Sequence, residues 1–226
     1  METWIDIILI IAILTIPAIA QAMISLRYKK YSSVDNAEKL SGFETARKIL
    51  DANGLNDMDI VAVPGTLTDH YDPSRKVVRL SQSNFNDNSI AAMAVAAHEC
   101  GHAIQDKEGY TMMRIRSLLV PVVKIGTGLS YIIIVIGFIF QLLGLVYVGI
   151  ALTALGLLFQ LVTLPVEFNA SSRAEKQLKA LGLTAPADDE GVKKVLTAAA
   201  MTYVAGVLSS MLQILRLILI YGGRRD

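Results

Sequence analysis

The chain has 226 residues, 53% of them apolar, with 21 Lys and Arg against 20 Asp and Glu. With a positive mean hydropathy, it is too apolar for one soluble domain and too charged for a purely intramembrane one, so part belongs in a bilayer and part outside. The near-cancelling charge excludes the basic surface a nucleic-acid partner needs, and the single cysteine, Cys100, excludes an intrachain disulfide and fits a reducing compartment.

Trp4 to Leu26 is an apolar run of membrane-spanning length, interrupted by Asp6 and Pro17. Glu2 and Asp6 stand where a cleavable secretory signal would carry positive charge, so a retained anchor is expected. Arg27, Lys29 and Lys30 follow at once, which by the positive-inside rule places the next segment in the cytoplasm.

That segment opens with a helix. Ser41 and Glu44 have capping-box spacing, Phe43, Ala46, Ile49 and Leu50 form an apolar stripe, and Gly54 ends it. Asp59 to Val63 reads as a short strand, and Asp69 to Leu80 as a hairpin around Asp72-Pro73-Ser74-Arg75. Val77 to Leu80 is the expected sheet edge for an extended substrate. His70, on the hairpin, either faces a cleft and polarises a substrate carbonyl or is simply solvated. Asn86 to Ser89 supply a cap for the helix that follows.

That helix, Ala91 to Gln105, contains His98-Glu99-Cys100-Gly101-His102. Histidines four apart lie one turn above each other, so both imidazoles can reach one metal ion, and the H-E-x-x-H spacing gives Glu99 the role of general base toward the metal's water. Cys100 is turned about 200° away from the metal face and reads as core packing.

Leu118 to Leu164 carries Lys124 as its only charge, enough length for two spans joined by a tight turn near Gly137 to Gly144. This hairpin returns Pro165 to Glu175 to the side of His98 and His102. A catalytic zinc takes three protein ligands and leaves a position for water, and Glu167, read as heading a helix that ends at Gly182, is the expected third ligand. Glu175 is its rival, among the charged neighbours Arg173, Lys176 and Lys179. Asn169, Ser171 and Arg173 could orient ligands or lie on the surface. Ala185 to Gly191 reads as a linker, and from Val192 a helix passes into an apolar stretch, Val204 to Tyr221, that either crosses the membrane or lies in its interface. Tyr203 on this helix could stabilise an oxyanion or be a packed or interfacial tyrosine.

At Thr68-Asp69-His70-Tyr71-Asp72-Pro73, at Ala97-His98-Glu99-Cys100-Gly101-His102-Ala103-Ile104-Gln105, and at Pro165-Val166-Glu167-Phe168-Asn169-Ala170-Ser171 with the apolar hairpin between, the chain resembles the YugP-like neutral membrane zinc metallopeptidases of the gluzincin group, relatives of the HtpX proteases. The resemblance implies a membrane-embedded, zinc-dependent peptidase with a cytoplasmic site. In HtpX-like relatives an Asp four positions beyond the glutamate ligand orients a histidine. Here that position is Ser171, so the orienting group must come from elsewhere or from backbone carbonyls.

The expectation is a mainly α multi-pass membrane protein with about four hydrophobic helices and a small gluzincin-like α+β core. Its segments are 1–27 (anchor), 28–117 (catalytic), 118–164 (hairpin), 165–200 (catalytic) and 201–226 (membrane or interfacial helix). It would be a metalloendopeptidase with one zinc held by His98, His102 and Glu167, acting on peptides or membrane proteins, and its apolar helices suit self-association or a membrane partner. The rival is a non-catalytic or partner-dependent zinc-containing membrane adaptor, which would need four protein ligands and no general base.

Overall fold

The computed structural model describes residues 3–221. In chain order the elements are α1 (Thr3–Tyr31), α2 (Gly42–Ala52), β1 (Asp59–Val63), β2 (His70–Asp72), β3 (Val77–Ser81), α3 (Gln82–Asn86), α4 (Ile90–Lys107), α5 (Thr111–Ile139), α6 (Leu143–Ala180) and α7 (Pro186–Tyr221). The fold is mainly helical, and α1, α5, α6 and α7 are each long and apolar enough to cross a membrane. The chain divides into two compact units: an apolar one of α1 through Gln21, Arg114–Leu164 and α7 from Thr202, and a polar one of Ala22–Met113 and Pro165–Met201.

In the polar unit, Ser41 caps α2 as its spacing with Glu44 predicts. Its Oγ accepts from Glu44 N at 3.2 Å, and its own N–H donates to Glu44 Oε2 at 2.8 Å. Ile49 and Leu50 of α2, Val78 and Leu80 of β3, Met93 and Ala97 of α4, and Val166 and Leu178 of α6 share one core. The helix α4 is buried along most of its length, and its small side chains let neighbours pack around it.

The strands form one sheet in the order β1-β3-β2. The hairpin is present, with Asp72 Oδ1 accepting from Ser74 N and Arg75 N at 3.1 and 3.2 Å to close the turn. However, β3 is the central strand: β1 pairs with it in parallel and β2 antiparallel. Val77 to Leu80 therefore has no free edge, and β2 is the edge strand of the hairpin.

Two boundaries also differ from expectation. Glu167 does not head a helix, because α6 runs unbroken from Leu143 through Pro165 to Ala180. The proline removes one N–H from the helical ladder without ending it, which membrane helices tolerate. Ala185 to Gly191 is mostly the first turn of α7 rather than a linker. Proline needs no N–H at a helix start, Asp188 and Asp189 suit the positive end of the dipole, and Asp188 Oδ2 accepts from Ala185 N and Ala37 N at 3.2 and 3.1 Å.

Within the apolar unit, α5 and α6 approach closely enough that a Cβ on Gly149 would lie 2.3 Å from Ile134 Cγ1. Along α1 and α7, Arg216 pairs with Asp6 at 2.6 Å and Ser209 Oγ donates to Ile13 O at 2.9 Å. Seven residues forward on α1 match seven back on α7, so the two helices run antiparallel there.

Candidate metal centre

The helix α4 brings His98 and His102 to one face, with ring centroids 4.8 Å apart, and α6 supplies Glu167. The distances from Glu167 Oε2 are 3.2 Å to His98 Nε2 and 3.5 Å to His102 Nε2. One donor atom from each residue falls within 4.8 Å of the others, so the three could hold one metal ion. Gly101 permits this approach: a Cβ there would lie 2.5 Å from Ala170 O on α6. Glu175 is not in this group.

The hydrogen bonds behind the cluster decide which nitrogens face it. Arg173 Nε, always a donor, gives its proton to Asn169 Oδ1 at 2.7 Å. That oxygen also accepts from Gln105 Nε2 at 2.9 Å, and Gln105 Nε2 donates to Val166 O at 2.8 Å. With its amide nitrogen so committed, Gln105 turns Oε1 to His102 Nδ1 at 2.9 Å. An amide oxygen only accepts, so His102 carries a proton on Nδ1, and Nε2 is the nitrogen turned toward Glu167. His98 Nδ1 lies 3.2 Å from Ser171 Oγ, again leaving Nε2 toward the cluster. Two imidazole Nε2 atoms and a buried carboxylate, each ring held from behind, are a donor set that fits zinc.

The orienting groups are therefore a serine hydroxyl and a glutamine amide, where the sequence left the source open. Arg173 also pairs with Glu108 at 2.7 Å. Gln105 joins the site beyond the residues that the sequence singles out; its signal is its place three residues beyond His102, on the face that carries both histidines. Burial pushes the His102 imidazole down, but its hydrogen bond to Glu167 and the charges of Glu99 and Glu167 more than reverse this, so it lies above the usual histidine value. Positive charge is favoured at this spot.

Glu99, 8% exposed, lies between the histidines in sequence, and its Oε2 accepts the backbone N–H of Tyr71 on β2 at 2.8 Å. Cys100 turns the other way, with Sγ 3.6 Å from Ala46 O of α2, and burial pushes its thiol up, which makes it inert. His70 is exposed at the start of β2, with Nδ1 2.8 Å from Thr68 O. Tyr203 lies on α7 in the apolar unit.

Residues 6–222 match the family model described as "Putative neutral zinc metallopeptidase". The chain is 44% identical over 220 residues to the "Putative membrane protease YugP" of Bacillus subtilis (strain 168), covering 97% of this chain and 98% of that protein. No solved structure gave a significant match. With nearly its whole length matched and a zinc donor set assembled at the shared motif, the chain belongs to the neutral zinc metallopeptidase family.

Proposed function

We propose that this membrane protein is a zinc metalloendopeptidase in which His98, His102 and Glu167 hold the metal and Glu99 is the general base. The observation that carries the reading is the convergence of both histidine Nε2 atoms on Glu167 Oε2, with Glu99 projecting from the same helix. Zinc held there supplies a Lewis acid that lowers the pKa of a water and polarises the scissile carbonyl. Glu99 takes the proton of the attacking water and delivers it to the leaving amine. The Tyr71 amide fixes one carboxylate oxygen, leaving the other for the proton.

The strand β2 is the substrate-side edge in this reading. In an antiparallel pair a residue's N–H and C=O point the same way, so Tyr71, whose N–H leaves β3 for Glu99, also turns its carbonyl to that side. That carbonyl can accept from an N–H of an extended peptide.

The four apolar helices act as four spans. Antiparallel pairing of α1 with α7 through Asp6 and Arg216 supports a crossing α7 rather than an interfacial one, and the Lys29 and Lys30 end of α1 marks the cytoplasmic side. Residues 32–110 and 165–200 then face the cytoplasm. Chelation of the purified protein in detergent should abolish cleavage of a peptide panel, and zinc should restore it. Cleavage that survives complete removal of metal would overturn the assignment. Thiol labelling of a cysteine placed at Ser33 should require access from the cytoplasmic side, and labelling from outside would reverse the topology.

A further inference from the structure

Tyr71 touches the helix α4 at two places. Its backbone N–H donates to Glu99 Oε2 at 2.8 Å, and its hydroxyl donates to Asp106 Oδ2 at 2.7 Å. Glu99 and Asp106 are seven residues apart, two turns along one stripe of the helix, a rise of about 10 Å. Lys76, at the end of the hairpin turn, also pairs with Asp106. Tyr71 itself is 7% exposed. Burial and the bond to Asp106 raise its phenol well above the usual tyrosine range, so the hydroxyl remains a donor.

The strand needs such an anchor. With only three residues, β2 has little pairing of its own, and His70 and Asp72 face β3 while Tyr71 turns its amide outward. An edge amide held only by the pairing of its neighbours would drift relative to α4, and with it the carboxylate that it fixes. Small displacements of reacting groups are costly to rate.

On the reading that Glu99 is the general base, we infer that Tyr71 is its positioning residue: the Tyr71–Asp106 hydrogen bond, braced by Lys76, clamps the edge strand to α4 so that the Tyr71 amide holds the Glu99 carboxylate in its working orientation. The clamp acts through the backbone of one strand, so its failure leaves the metal ligands untouched. A purely structural tyrosine would instead affect the strand and the metal site together.

The test is amide hydrogen exchange of β2 in the full-length protein in detergent, beside zinc content and cleavage kinetics, for wild type, Tyr71→Phe, Asp106→Ala and Glu99→Ala. The clamp predicts a protected Tyr71 amide in wild type. Exchange at that amide should speed up roughly tenfold or more in each variant, while the ladder amides of His70 and Asp72 stay protected. Tyr71→Phe and Asp106→Ala should keep full zinc and lower kcat by roughly tenfold to a hundredfold with KM within about twofold. Combining Tyr71→Phe with Asp106→Ala should lower kcat no further than the poorer single variant, since both remove the Tyr71–Asp106 bond. A Tyr71 amide unprotected in wild type, exchange unchanged in Tyr71→Phe, or loss of protection across all of β2 together with zinc would overturn the inference. Wild-type protein that cleaves nothing counts against the peptidase reading alone, because the exchange arm still decides whether the clamp exists.

Discussion

Leu50 in the polar unit is completely buried, whereas Leu118 in the apolar unit leaves 76% of its surface uncovered by protein. Both are leucines on helices, and both answer to the same requirement that apolar surface avoid water. The polar unit meets it by packing α2, α4, α6 and the sheet into one core. In the apolar unit many long side chains of α1, α5, α6 and α7 face outward, and in the proposed four-span reading lipid covers them. Specific helix pairing there rests on small residues such as Gly149 and on a few polar links such as Asp6 to Arg216. The comparison teaches that the site is held by the unit that packs against itself.

Substitutions can break or sharpen this contrast. Leu50→Ala opens a cavity beneath α4 and should cost about 2–5 kcal/mol, read as a lower thermal midpoint of the purified protein with loss of bound zinc at the same temperature. Gln105→Ala removes the acceptor that fixes the His102 tautomer. Zinc affinity, measured by competition with a chelator, should fall by about 10- to 100-fold with the helix content unchanged. Ser41→Ala deletes the α2 cap and should cost about 1 kcal/mol without changing zinc affinity. Leu118→Ala should stay within about 0.5 kcal/mol of wild type in detergent. A large loss there would mean that Leu118 is covered by protein, and the contrast between the units would fail.

The parts legible in the sequence were those written in local spacing. The pair His98 and His102 follows from helical geometry alone, and the Ser41 cap and the β2–β3 turn follow from residue types whose hydrogen bonds are short-range. The helix start expected at Glu167 is absent because a long apolar helix such as α6 carries Pro165 through. Pro186, Asp188 and Asp189 misled in the opposite sense, since the same residues serve loops and helix starts. Strand order was out of reach: nothing local states that β1 joins the far side of β3 in parallel. The Tyr71 amide was invisible because every residue but proline has one, and Gln105 reads as an ordinary helical polar residue until Arg173 and Asn169 fix its orientation.

The measurement that tests the central claim most directly is zinc stoichiometry together with peptide cleavage for purified wild type, Glu99→Gln and Glu167→Ala, each checked for folding. The account predicts about one zinc per chain in wild type and in Glu99→Gln, little or none in Glu167→Ala, and cleavage by wild type alone, with the Glu99→Gln rate lower by about 100- to 10,000-fold. Wild type without zinc, or Glu99→Gln cleaving at the wild-type rate, would contradict it.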